Sequence, residues 1–475
     1  MQPSLPQSAR GADCAAVILA AGRSTRMKSA TPKPLHPLCG MPLTRHVAES
    51  CREAGIGRII VVVGHEAEAV RAGLGDDLEY ALQAEPRGSG DAARAAEPLL
   101  RKWSGDVLVL AGDVPLLRPE TLRRLLEAHR SSGAQATLLT AILDDPTGYG
   151  RILRNPDGTV ARIVEHEDAT EAERAVKEWN PSIYCFQREA LFRALGRIQP
   201  DNAQGELYLT DTIGILAAEG ARIEALPTDD PREVLGVNNR AELAEAGRIL
   251  RERILAALML SGVTITDPAA TYVDRGVEVG RDAVLEPGTF LLGRTRVGAR
   301  STIGPFTRVV DSVIGEECVV AASQVAGSQV GSACRIGPFA NLRPGCVLGD
   351  GVRVGDFVEM KNARIGDRVS ASHLSYIGDA EVGAGANIGA GTVTCNYDGF
   401  AKHRTRIGSG AFVGTHTTLV APVEVGDGAI TAAGSVITEN VPADALAIAR
   451  QRQTIKPGWA RRWREARGNR ARQPN

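Results

Sequence analysis

Three groups of residues in this chain have the types and spacing to do chemistry. The first is a glycine-containing loop, LAAGRSTRM (residues 19–27), followed by Pro32-Lys33-Pro34. A loop of this kind after a buried strand offers backbone N–H groups to phosphate oxygens. Arg26 and Lys33 add two cations able to neutralise a triphosphate. The Gly-Lys-Ser/Thr ending of a P-loop is missing. The second is Asp113 in AGDVP (residues 111–115), just past the apolar run 107–110. A carboxylate beyond the carboxyl end of a strand can hold Mg²⁺, which takes few protein ligands and fills its shell from phosphate and water. The third is His373 in HLSYIGDA. Imidazole suits the removal of a proton from an attacking amine, with Asp379 or a backbone carbonyl to orient it. Taken singly, these residues read as a basic turn, a capping Asp and an inert surface His. Their company argues for more.

The elements that must position them fall into two halves. Between residues 263 and 443 an aliphatic residue followed by Gly recurs at steps of six or near multiples of it: Val297-Gly298, Ile303-Gly304, Ile336-Gly337, Val354-Gly355, Val382-Gly383, Ile388-Gly389, Ile407-Gly408, Val413-Gly414 and Val425-Gly426. This period predicts a β-helix of hexapeptide repeats, with the aliphatic residue inward and Gly relieving the backbone at the corner. Polar residues interrupt it at 341–345, 358–363, 370–380 and 394–405. The last stretch is too long for one repeat and predicts an external loop, where sites are built.

Residues 14–238 alternate strand and helix patterns. Strands are expected at 16–20, 58–63, 107–110, 136–142, 150–154 and 183–186, and helices at 43–54, 91–100, 119–129 and 210–219. This α/β pattern predicts a mostly parallel, Rossmann-like sheet covered on both faces. Residues 239–260 read as one linker helix with Asn239 as its N-cap. A disordered tail over 1–13, the β-helix over 261–449 and a basic, solvated tail over 450–475 complete the division.

Composition narrows the partners. A formal net charge of -1 gives no global field for nucleic acid or a membrane surface. The eight Cys have no metal-ligand spacing and read as core residues of a reducing compartment. No apolar run reaches the length of a membrane span, and residues 1–13 lack a signal-peptide core. A cytoplasmic protein is expected.

Residues 19–35 together with QAEPRGSGDA (83–92), AGDVP, DDPTGYGRI (144–152), IVEHEDAT (163–170), NAQGELYLTD (202–211) and GVNNR (236–240) resemble the sugar-nucleotide pyrophosphorylases. With the hexapeptide half, residues 14–459 resemble the bacterial bifunctional N-acetylglucosamine-1-phosphate uridyltransferase/glucosamine-1-phosphate N-acetyltransferase family. That resemblance implies a left-handed parallel β-helix and a homotrimer. It implies acetylation of glucosamine 1-phosphate by acetyl-CoA in the second half. UMP transfer from UTP in the first half then gives UDP-N-acetylglucosamine for cell-envelope synthesis.

It also implies roles residue by residue. Leu19, Ala20, Gly22 and Lys33 would lie along the nucleotide, with Arg26 and Lys33 catalytic. Gln83, Gly88 and Ser89 would face uracil. Gly150, Glu165, Asn180 and Asn238 would hold the amino sugar, and Asp113 with Asn238 would bind Mg²⁺. In the second half His373 would be the base, and Arg343 and Lys361 would bind the sugar phosphate. Tyr376, Asn387 and Asn396, with Tyr397 alongside, would meet the sugar. Ala390, Thr415, Ala433 and Arg450 would contact acetyl-CoA, which Asn396 and Tyr397 would also approach. Lys402 is a further candidate for a phosphate. The chain departs from the family pattern at Ser89 (usually Thr), Asp91 (commonly His), Pro181-Ser182 (Thr-Gly) and Thr415 (Ser). Two rivals stand beside this reading: a nucleotidyltransferase whose β-helix is only a scaffold, and a non-enzymatic regulatory subunit.

Overall fold

The computed structural model describes residues 13–22 and 25–470, without the side chains of 468–470. The tail expected over 1–13 lies outside the described residues save Asp13, as do Arg23, Ser24 and residues 471–475. The chain divides into two compact units, Met1–Ala256 and Ala257–Asn475.

The first unit is a ten-stranded mixed sheet. Its strands are β1 (Cys14–Leu19), β2 (Arg58–Val63), β3 (Glu79–Leu82), β4 (Asp106–Ala111), β5 (Ala136–Ile142), β6 (Gly150–Arg154), β7 (Val160–Val164), β8 (Glu178–Asn180), β9 (Ile183–Gln187) and β10 (Ile223–Pro227). Their order is β3-β2-β1-β4-β9-β5-β8-β6-β7, with β10 on β5. β3, β2, β1 and β4 run parallel. β1 is apolar along its whole length because both faces are covered. Ala16, Ile18, Leu108 and Leu110 face Val47, Cys51, Leu122 and Leu125 of helices Leu43–Glu53 and Pro119–Ser132. Ala15, Val17, Val107 and Val109 face Ala93, Leu191 and Leu216 on the other side. Leu19 is level with Val62 and Ala111, so the carboxyl ends of β1, β2 and β4 open together.

Two expectations change here. The sheet is less parallel than its pattern suggests: β9 runs antiparallel between β4 and β5, and β8, β6 and β7 extend the sheet by antiparallel pairs. The helix expected over 91–100 is two short ones, Ser89–Arg94 and Glu97–Leu100, because Pro98 cannot donate to a continuing helix.

The long helix runs Arg240–Leu260. Asn239 caps it, its Oδ1 accepting from Ala241 N at 2.9 Å and Glu242 N at 3.0 Å. Ala246, Ile249 and Leu250 bury against Leu38, Leu43 and Leu116. Most of this helix therefore belongs to the first unit.

The second unit is a parallel β-helix whose coils each feed one short strand to three sheets, of eleven, ten and nine strands. Ile303 stacks on Val320, Ile336, Val354, Ala371 and Ile388, all of them buried. The corner strain expected at the Gly after the aliphatic residue is present at Gly304 and Gly337, with φ of +118° and +100°, but the others have a different reason. Gly298, Gly383 and Gly408 have ordinary φ, but a Cβ there would lie 2.4–2.5 Å from backbone nitrogen of the next coil. Close coil stacking demands them. Ile388 pairs with Val413, a step of 25, whereas Val413 pairs with Thr431, a step of 18. The surplus is the expected loop; it leaves the coil after Cys395, returns at Thr405, and carries a Tyr397–Lys402 bridge.

The basic tail is also more ordered than expected. Trp459–Arg470 is an exposed helix. Its residues are mostly good helix formers, Trp459 stacks on Trp463 at 6.2 Å, and Arg467 lies 4.4 Å over Trp463. Among the described residues, no helix is long and apolar enough to cross a membrane.

Candidate active sites

In the first unit a cleft opens at the carboxyl ends of β1 and β4. It has two lobes, of 490 and 230 Å³, that share Leu19, Gly22 and Ser89. Gln83 and Gly88 line the larger lobe; Ala20, Lys33, Asp113 and Ser182 line the smaller. Gly112 lets β4 end against β1, since a Cβ there would lie 2.6 Å from the Leu19 carbonyl. At Gly88, φ is +112° and a Cβ would sit 2.5 Å from the Leu207 carbonyl, so only glycine fits that wall.

Four of the expected residues converge. Lys33 Nζ donates to Asp113 Oδ2 at 2.5 Å and to Asn238 Oδ1 at 3.1 Å. Arg26 Nη2 donates to the same Asn238 oxygen at 2.9 Å. Asn238 is held from behind: its N–H donates to Glu242 Oε2 at 2.6 Å, in the first turn of the long helix. Two hard oxygens thus converge on one ammonium. That donor set suits a divalent cation which takes its remaining ligands from phosphate and water. Among the described residues no cluster of three or more His, Cys, Asp or Glu forms a competing metal site.

The remaining residues lie toward β6 and β8. Gly150 pairs with Asn180, and a Cβ on Gly150 would come within 3.2 Å of Glu165 Oε2. Burial pushes the Glu165 carboxyl above its ordinary range, against the hydrogen bond it accepts from Thr210. Asn180 is buried and half spent: Nδ2 donates to Tyr184 Oη at 2.7 Å and Oδ1 accepts from Ser182 N at 3.2 Å. Ser182 sits at φ 57°, a left-handed turn that glycine adopts freely and serine takes at a cost of about 1 kcal/mol. The Asn180–Ser182 hydrogen bond offsets part of that cost.

In the second unit His373 ends the strand Ser370–His373 and is register partner of Asp356, one coil earlier. Asp356 Oδ1 lies 3.0 Å from His373 Nδ1. The orienting group is therefore Asp356 and not Asp379. Asp379 serves another cluster, accepting from Asn362 Nδ2 at 2.6 Å and Asn396 Nδ2 at 2.5 Å. Burial would raise its carboxyl, but these bonds and the charges of Lys402 and Lys361 hold it low. Asp356 was missed because it stands outside the polar interruptions. The coil period, which returns to the same corner after 17 residues, was the signal that could have found it.

Expected residues gather around Asp379. Lys402 comes from the external loop to sit beside Lys361, and its ammonium, with Arg343 adding, lowers the Lys361 pKa. Arg343 Nη1 donates to Glu359 Oε1 at 2.8 Å. Tyr376 folds over Gly378, where a Cβ would meet its hydroxyl at 2.4 Å and Asn396 Nδ2 at 2.8 Å. Asn387 lies in the sheet of His373, paired with Ser370. Tyr397 is exposed and donates its hydroxyl to the Gly399 carbonyl at 2.6 Å.

The small residues form one column. The backbone bonds Leu374 N to Asp356 O, Gly391 N to His373 O, His416 N to Ala390 O and Gly434 N to Thr415 O follow one another up a single corner. Asp356, His373, Ala390 and Thr415 are stacked coil on coil, and Ala433 precedes Gly434 at the next level. Arg450 Cδ approaches Gly434, where a Cβ would lie 3.7 Å away. A track of small side chains thus runs from the imidazole to a guanidinium.

Residues 16–208 match the MobA-like NTP transferase domain, 268–372 the GMPPB C-terminal domain, and 404–439 the bacterial transferase hexapeptide (six repeats). The chain is 49% identical to a bifunctional protein GlmU of Brevibacillus brevis over 94% of its length and 96% of the relative. It is 50% identical to the proteins of that name from a Geobacillus and an Exiguobacterium species, over 94% of this chain and 97% and 99% of theirs.

Proposed function

The chain belongs to the bifunctional GlmU family, and from that premise we propose how its two halves divide the work. It is a bifunctional transferase, acetylating glucosamine 1-phosphate with acetyl-CoA and joining N-acetylglucosamine 1-phosphate to UTP. The product, UDP-N-acetylglucosamine, supplies envelope polymers. Both co-substrates are metabolites of the cytoplasm, where the enzyme works.

In the first half the sugar phosphate oxygen attacks the α-phosphorus of UTP. The α–β phosphoanhydride bond breaks and pyrophosphate leaves. No protein nucleophile takes part; positioning and charge neutralisation carry the step. Lys33 and Arg26 neutralise the phosphates. Asp113 and Asn238 would hold Mg²⁺, whose bound charge offsets that of the leaving pyrophosphate. The convergence of Lys33, Arg26, Asp113 and Asn238 carries this assignment.

In the second half His373 takes a proton from the amine while nitrogen attacks the thioester carbonyl; the C–S bond breaks and the CoA thiolate leaves. With Nδ1–H donated to Asp356, Nε2 keeps the lone pair. Lys361, Lys402 and Arg343 form the phosphate end. Ala390, Thr415 and Ala433 give the CoA arm a narrow track toward Arg450. A bare scaffold has no use for two adjoining lysines, which disfavours a silent β-helix.

The enzyme works as a homotrimer. Beside His373 the corner exposes Phe306, Phe339, Phe357 and Leu374 at 76%, 58%, 58% and 61%. So much open apolar surface supports a second chain closing over the base. One assay tests the whole reading: glucosamine 1-phosphate, acetyl-CoA, UTP and Mg²⁺, with mass spectrometry of the sugars. UDP-N-acetylglucosamine must require both donors. N-acetylglucosamine 1-phosphate used without any acetylation would reduce the second half to a scaffold.

A further inference from the structure

Asp91 uses both of its carboxylate oxygens. Oδ1 accepts from Arg94 Nη2 at 2.8 Å, and Oδ2 accepts from Gln83 Nε2 at 3.0 Å. The same Gln83 nitrogen donates to the Gly88 carbonyl at 3.1 Å. A primary amide carries two N–H donors on one end and only lone pairs on the other. Only the nitrogen end can face two acceptors, so the neighbours themselves fix which way this amide points. Both donors are then spent. Gln83 lines the larger lobe of the first cleft together with Gly88 and Ser89. The polar group it has left for a ligand is Oε1, which can only accept.

We propose that Asp91 is a positioning residue for nucleotide selection. Braced by Arg94, it locks the Gln83 amide with its carbonyl free for the base. The lobe then selects a nucleobase presenting a ring N–H and refuses one presenting a ring lone pair. This rests on reading the cleft as the UTP site. Uracil carries hydrogen on the ring nitrogen between its two carbonyls. Cytosine carries a lone pair there, and two lone pairs facing each other in a part-buried site cost both the hydrogen bond and the desolvation. Asp91 touches no substrate; it acts through Gln83.

The arrangement predicts an order of variants that shape alone does not. Asp91→Asn is the closest mimic in size, but it has one acceptor for two donors. Arg94 can only donate, so it claims the amide oxygen of the new side chain and turns the NH2 toward Gln83. Gln83 must then swing its carbonyl away from the base. Asp91→Ala removes the acceptor and adds no donor, leaving Gly88 to hold Gln83 alone. The ratio of kcat/KM for UTP over CTP should therefore fall in the order Asp, Ala, Asn. The Asn variant should drop about tenfold or more, mostly through KM. Adding Arg94→Met to Asp91→Asn frees the amide oxygen to turn back and should recover part of the ratio. Acetyl transfer by the same preparations reports that the chain is folded.

An Asn ratio equal to or above the Ala ratio, or within about twofold of the parent, overturns the proposal. If Asp91→Asn fails to fold, the Ala variant decides: an unchanged ratio sinks the idea. A parent enzyme that uses neither UTP nor CTP would instead overturn the reading of the cleft itself, a result distinct from UTP use with an unmoved ratio.

Discussion

Asp356 and His373 are register partners on successive coils, and the carboxylate meets the imidazole at Nδ1 across 3.0 Å. A β-helix places residues one coil apart side by side without a loop to position them. Asp356→Asn keeps the shape and loses the charge that stabilises the protonated ring. Acetyl transfer should fall on the order of 10–100-fold in kcat, by analogy with lost partners of ligating histidines. His373→Ala should abolish it. Uridylyl transfer should be unchanged in both, measured as pyrophosphate release.

The mirror prediction concerns Asp113 and Lys33. Asp113→Ala should remove uridylyl transfer by at least about 100-fold and leave acetyl transfer intact. Chelation should do the same to the unaltered chain: excess EDTA stops pyrophosphate release while thiol release from acetyl-CoA continues. Loss of both activities on chelation would show that the second half also depends on a divalent cation.

Glu165 predicts a dependence of stability on pH. Its carboxyl is held above the ordinary range chiefly by burial. A raised folded-state pKa contributes stability below the unfolded value and loses it as pH rises through the folded value. Glu165→Gln keeps the acceptor for Thr210 and cannot ionise. It should therefore melt with the parent below about pH 4 and roughly 2–4 °C higher near neutrality, while sugar affinity falls. Equal melting at neutral pH would mean that the charged form is accommodated.

Much of this was legible in the sequence, and what was not has physical causes. The Val-Gly period gives the β-helix because stacking forces a glycine at each close approach. Arg26, Lys33 and Asp113 announce themselves by following buried strands. The antiparallel strands Val160–Val164 and Glu178–Asn180 are short and only partly apolar, so no period marks them. Asp356 looks like an ordinary surface acid until the coil register is known. The helix near the C-terminus draws on paired Trp residues and Arg contacts, which a count of charges does not weigh.

The exposed aromatics make the last prediction. Phe339 stacks on Phe357 at 5.4 Å with planes 12° apart, and both rings face solvent in the single chain. Leu374, the neighbour of His373, continues the same exposed edge. Burying such side chains against another copy is worth about 1.5–3 kcal/mol each, so a single charge placed among them should break the assembly. Phe357→Glu should move the protein from trimer to monomer in light scattering. It should cut acetyl transfer at least about tenfold, since an interface anchor carries more than its share of the association energy. Uridylyl transfer, built within the first unit, should persist. His373→Ala is the control, losing acetyl transfer as a trimer. A monomeric Phe357→Glu enzyme that still acetylated at the parent rate would show that one chain holds the whole second site.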